Sequence, residues 1–152
     1  PLAVNFALDQ SGTGRNFRTW GTMGNYSLVD LNPLMVIAAN VLLEKGQLNK
    51  IDFHAEVKED ISRGKMLFTY QDLDIKMEGK NAWIKNLAQG LIVQDRNPRK
   101  DGELRMGSIY HEHPGDRSFF NLFWKSVVSG MQSTVAGNLI NSQEMDSEVV
   151  VE

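Results

Sequence analysis

The 152-residue chain contains no cysteine, which excludes disulfides, cysteine-ligated zinc or iron–sulfur centres, and thiol catalysis. It also lacks a long hydrophobic run. The longest purely apolar stretch is Leu34-Met35-Val36-Ile37-Ala38-Ala39, far short of the roughly 18 residues that mark a spanning helix. Basic charge is not in excess: sixteen Lys and Arg stand against nineteen Asp and Glu, a net of −3, which argues against a general nucleic-acid binder. There is no Gly-x-Ser-x-Gly nucleophile elbow, no Gly-x-Gly-x-x-Gly turn and no phosphate-loop lysine motif. Gly12-Thr13-Gly14 lacks the context such motifs need.

What is present is enough apolar material, 41% of the chain, for a packed core. The chain opens on Pro1-Leu2-Ala3-Val4, with no initiator Met and no basic segment ahead of an apolar one. It therefore reads as a fragment of a longer chain whose anchor or export signal lies elsewhere. Glu144, Asp146, Glu148 and Glu152 fall in a stretch with no base, and removing them takes the net charge from −3 to +1. Residues 142–152 are accordingly expected to be an acidic tail on a single β-rich domain, 1–141. Val149-Val150-Val151 could add an edge strand, but reads better as a frayed terminus.

Period-two alternation dominates the first half. Leu2, Val4, Phe6 and Leu8 share one strand face, and Ser11-Gly12-Thr13-Gly14 reads as a turn. Ile51, Phe53, Ala55 and Val57 alternate with Asp52, His54, Glu56 and Lys58, a strand with one buried face. Glu44-Lys45-Gly46-Gln47 and Ser62-Arg63-Gly64-Lys65 look turn-like, so the strands should follow one another as an antiparallel meander. Met66, Phe68 and Tyr70 keep one phase, whereas Leu73, Ile75 and Met77 keep the other. The slip at Gln71-Asp72 fits either a β-bulge or a tight turn between two shorter strands.

Two helices interrupt this pattern. Trp83, Ile84, Leu87, Ala88 and Leu91 predict a short amphipathic helix over 82–91, and a strand follows over roughly 103–111. Phe120, Phe123, Trp124, Val127, Val128, Met131 and Val135 predict a longer helix over 118–136, with Ser118, Asn121, Lys125, Ser129 and Gln132 off the stripe. Asp116 or Ser118 is the candidate N-cap and Gly137-Asn138 the candidate stop, while Gly130 would let another backbone approach closely.

The one constellation that suggests a metal is His111-Glu112-His113, whose imidazoles share a strand face. Its further ligands would have to be His54, Asp116 or a distant glutamate. Two solvated histidines at a strand end, before Pro114-Gly115, is the simpler reading, and no metal or cofactor is assigned. Arg96, Arg99, Lys100 and Arg105, interleaved with Asp95, Asp101 and Glu103, read as a solvated hairpin rim, with contact to anionic lipid headgroups as the alternative.

Taken in order, Asp30-Leu31-Asn32-Pro33-Leu34, Val41 to Leu48, Gly64-Lys65-Met66-Leu67-Phe68-Thr69-Tyr70-Gln71-Asp72-Leu73, Leu104 to Glu112, and Ser118-Phe119-Phe120-Asn121-Leu122-Phe123-Trp124-Lys125-Ser126 with Gly130 form a series. From about Phe17 to Gly137 the chain resembles the C-terminal part of AsmA-like envelope proteins of the Bacteroidota type. The specific parts are the Gly-x-x-x-(aromatic)-x-Tyr-x-Asp-Leu stretch and the Arg-x-Gly-x-Ile strand that feeds an aromatic helix. The resemblance implies a twisted sheet curled into a groove, a periplasmic or envelope location, and a relation to bridge-type lipid-transfer proteins. It implies no catalytic residue.

The expected fold is therefore α+β and β-dominated: a twisted antiparallel sheet curled into a groove, with two helices. The expected role is non-enzymatic, in lipid trafficking or outer-membrane assembly and homeostasis. Lipid acyl chains, a membrane surface or envelope proteins are the partners, and nucleic acid is not. The groove-lining candidates are Phe6, Leu8, Ile51, Phe53, Met66, Phe68 and Tyr70, with Phe120, Phe123, Trp124, Val127 and Met131 as a plug or cap. The alternative is a closed structural or protein-interaction module whose C-terminal amphipathic helix docks a partner.

Overall fold

The structure is a computed structural model that describes residues 1–10, 15–77, 94–115 and 117–136. Strands β1 (Leu2–Leu8), β2 (Phe17–Ser27), β3 (Val41–Lys58), β4 (Ile61–Met77) and β5 (Gly107–Glu112) form one antiparallel sheet in sequence order. A 3-10 turn (Leu28–Leu31) and helix α1 (Asn32–Ala39) connect β2 to β3, and helix α2 (Phe119–Val135) follows β5. The sheet is curled but not closed, so the meander, the β-dominated α+β class and the C-terminal helix stand as expected. The predicted helix over 82–91, the 11–14 turn and the acidic tail lie outside the described residues.

The alternation of β3 and β4 decides which face is buried. Ile51, Phe53, Ala55 and Val57 pair with Phe68, Met66, Gly64 and Ser62, and all four β3 residues are buried on the concave side. The phase slip is a bulge, because β4 runs unbroken through it. Between the pairs Lys45↔Asp74 and Gln47↔Gln71, Asp72 and Leu73 oppose the single residue Gly46. Asp72 takes a φ of 56° and Gly46 a φ of 145° there. A Cβ on Gly46 would also lie 2.7 Å from Leu28 Cδ1. Bulges sharpen twist, and this one returns Leu73 and Ile75 to the concave face, curling the sheet around its core.

Two turn readings need correction. Residues 44–47 and 62–65 both lie within strands, and the reversal between β3 and β4 is made by Glu59 and Asp60, at φ 53° and 62°. Positive φ at both central residues is the two-residue hairpin turn that matches strand twist. The sequence signal misled because strongly twisted strands also collect glycine and charged residues. Helix α1 is an addition. Pro33 lies in its first turn, it ends at left-handed Asn40, and the Asn32 side chain clamps both backbone groups of Leu43 at 2.7 and 2.9 Å.

Segment 94–105 lies along the outer edge of β4 through Asn97. The Asn97 backbone exchanges two hydrogen bonds with Tyr70, and its buried side chain donates to Phe68 O and Arg105 O and accepts from Arg105 N. Arg105 is therefore no solvated rim residue, since its guanidinium reaches Thr134 O at 3.2 Å and Arg96 O at 3.4 Å. Arg96 is likewise half-buried, whereas Arg99 and Lys100 are exposed as expected, Arg99 pairing with Glu103 at 3.6 Å. Asn97→Ala leaves buried backbone partners without their hydrogen bonds, and its cost should be about 1–3 kcal/mol, read as a shift of the urea midpoint at constant slope.

Candidate functional site

The candidate site is the concave face of the sheet, and α2 lies in it. Ser118 caps α2, accepting from Asn121 N at 3.3 Å. Val127, Val128, Met131 and Val135 then pack on Ile51, Phe53, Met66, Phe68, Tyr70 and Ile109 in one continuous core. The close approach expected at Gly130 is real: a Cβ on Gly130 would lie 2.9 Å from Ile109 Cγ1, and one on Gly107 would lie 2.6 Å from Gly130 O. Glycine at both positions lets the helix sit directly on β5. Trp124 ties the two helices together, its indole N–H donating to Leu34 O at 3.3 Å.

The polar side of α2 does structural work that the stripe reading did not assign. Ser129 Oγ accepts from Tyr110 N and donates to Tyr110 O, and Ser133 Oγ accepts from Ser108 N at 2.8 Å. The free edge of β5 is thus capped by hydroxyls of α2. One turn earlier, Ser126 donates to Leu122 O at 2.6 Å and lies 2.5 Å from Ser62 Oγ, which lies 2.6 Å from His113 Nε2. Proton accounting orders this chain. The Ser126 proton is spent on Leu122, so Ser62 donates to Ser126 and accepts from His113 Nε2–H. That leaves Nδ1 of His113 as a buried lone pair with no partner.

His113 is consequently held neutral. Burial lowers its pKa to about 4, neighbouring His111 and the Arg15 and Lys125 cations push the same way, and only Asp60 opposes. His111 is also lowered, by burial first and then by Lys125. The two rings meet edge to face at 4.6 Å. His113 is 7% exposed, so the expectation of a solvated strand-end residue is corrected: it is a buried clasp joining β4, α2 and the end of β5. No group of three or more His, Cys, Asp or Glu able to hold a metal occurs among the described residues. Elsewhere in the core, burial pushes the Tyr70 hydroxyl up to about 12, and it donates to Gln94 O at 2.9 Å.

The sequence-derived candidates divide into two groups. Ile51, Phe53, Met66, Phe68, Tyr70, Val127 and Met131 are sealed in the core, and Phe123 and Trp124 are half-buried against it. An apolar cavity of about 20 Å³ remains among Leu28, Met35, Phe68 and Met131 and their neighbours, too small for an acyl chain. Phe6 and Leu8 lie instead on edge strand β1, 41% and 57% exposed, and Phe120 lies in the first turn of α2, 59% exposed. There Phe6 contacts Phe17, Phe119 and Phe123 at ring distances of 6.3, 5.0 and 5.2 Å, and Phe123 reaches Phe53 at 6.1 Å. An aromatic relay therefore runs from the surface into the core. Beside it, Leu8, Phe17 and Val57 together with Asp9, Asn16, Arg18, Glu56 and Lys58 line an open cleft of about 250 Å³ of mixed polarity. Phe17 and Phe119 were missed, because membership of this cluster depends on β1 curling toward the start of α2.

Comparison with known proteins found no matching family model, no matching curated protein and no matching solved structure.

Proposed function

We propose that this chain is the closed end of an apolar β-trough that handles lipid acyl chains at the cell envelope, without catalysis, as the AsmA-like resemblance implies. The observation that carries the reading is the continuity of the concave apolar face, from the core sealed under α2 to the exposed aromatic rim at Phe6, Phe119 and Phe120. In this reading α2 stops the trough at the β4–β5 side, and hydrocarbon is met at the β1 side. Fully burying an exposed apolar side chain is worth about 1.5–3 kcal/mol, so covering the exposed part of a rim residue such as Phe120 contributes a fraction of that, with no need for a precisely placed polar partner.

The test is fluorescent-phospholipid binding together with native mass spectrometry. Wild type should bind lipid, and Phe120→Glu, at the most exposed of the rim aromatics, should weaken binding by about tenfold or more, with thermal stability nearly unchanged. Phe53→Asp cannot report on lipid, since Phe53 is core and its loss is a folding defect. Absence of lipid from the wild type in both measurements would refute the proposal. The filled centre of the trough favours a second reading, a closed structural or interaction module. That reading expects no lipid and little hydrophobic-dye binding.

A further inference from the structure

The two edges of the sheet are treated differently. The β5 edge is capped by Ser129 and Ser133, whereas β1 is an edge strand with no sheet neighbour beyond it among the described residues. Edge strands are ordinarily blunted by charge, proline or bulges. Across Leu2–Leu8 this one carries none of these, and its register against β2 is unbroken. Gly24 N donates to Pro1 O and Asp9 N donates to Asn16 O, so the odd-numbered residues of β1 turn their backbone groups toward β2. By alternation, Leu2, Val4, Phe6 and Leu8 turn theirs outward.

The outward-facing strand is also chemically symmetric. Leu-Ala-Val-Asn-Phe-Ala-Leu reads almost alike in both directions about Asn5. We propose that two copies of this chain pair through β1, antiparallel, across a two-fold axis at Asn5. Leu2 then opposes Leu8 of the second copy and Val4 opposes Phe6 of the second copy, apolar against apolar. These are the residues whose N–H and C=O groups already point outward, so the self-complementary register is also the one that satisfies the backbone. Asn5 meets Asn5 on the convex face, without like-charge repulsion anywhere along the strand. Both concave faces lie on the same side, so the pair forms one ten-stranded sheet whose aromatic rims adjoin. This inference does not depend on the rim binding lipid.

The absence of native cysteine makes the test direct. In this register Asn5 and its mate form a non-hydrogen-bonded pair with Cα atoms about 4.5 Å apart, within disulfide range. Asn5→Cys should therefore oxidise to a covalent dimer at least about tenfold faster than Thr22→Cys, an exposed control on the same face of β2. Sedimentation of wild type should show a concentration-dependent dimer. Leu2→Lys with Leu8→Lys should abolish it, whereas Leu2→Lys with Leu8→Glu should retain it by placing opposite charges face to face. Monomeric wild type at about 1 mM, equal cross-linking of the two cysteine variants, or equal behaviour of the two charged doubles would each overturn the proposal.

Discussion

Met131→Asp should lower the stability of this domain by more than about 4 kcal/mol, the largest single-site effect expected in the described core. Met131 is 4% exposed and bridges α2 to both the β3–β4 floor and the small cavity beside Leu28 and Met35. A carboxylate there has no partner and must either stay ionised in an apolar site or force α2 off the sheet. Met131→Ala removes the same contacts without adding charge and should cost about 2–5 kcal/mol, while Met131→Leu should cost less than about 1.5 kcal/mol. Urea unfolding gives the three values, and hydrophobic-dye fluorescence reports whether the trough has opened. If Met131→Asp proves within about 1 kcal/mol of wild type, α2 does not close the concave face.

The second large effect is acid destabilisation through His113. The unfolded imidazole titrates near 6.5, whereas the folded one is lowered to about 4. Between those values the unfolded chain binds more protons, so stability rises with pH across the window. The stability is fully present above about pH 6.5 and is lost as pH falls toward 4. One pKa unit corresponds to about 1.4 kcal/mol, which sets the total near 3 kcal/mol. The structural cause is definite: the added proton must go to Nδ1, which has no acceptor, in a site that also faces His111, Arg15 and Lys125. Chemical denaturation at pH 7, 5.5 and 4.5 should show this loss. His113→Gln should flatten most of it, with a residue left to His111. An unchanged pH profile in His113→Gln would remove His113 as the source.

The sequence made much of this architecture legible where burial alternates in register. Ile51 to Val57 announced their buried face. The slip at Gln71-Asp72 announced that something was inserted, though only the pairing of Asp72 and Leu73 against Gly46 shows it to be a bulge. Helix α2 was legible through its stripe and its Ser118 cap. Helix α1 was not, because eight residues give barely two turns of periodicity and its sequence carries no charge to mark a polar side. The candidate site was legible as apolar, but not as divided. Nothing in the spacing of Phe53 and Phe120 says that one is sealed and the other on the rim, since that depends on where α2 lands. Ser126, Ser129 and Ser133 carry the same lesson. In sequence they resemble a solvated helix side, and their value appears only when the edge of β5 and the buried Ser62–His113 pair are set against them.

That occupation of the β5 edge fixes the arithmetic of any larger assembly. Fibrils and sheet ribbons need every subunit to offer two open borders, one to give and one to receive. Among the described residues the far border is already engaged at Ser108 and Tyr110 by serine hydroxyls from the chain's own helix, which leaves β1 as the side open to strand addition. Association through β1 of both copies uses up that margin and terminates at a pair, which protects an uncharged, apolar margin from runaway polymerisation.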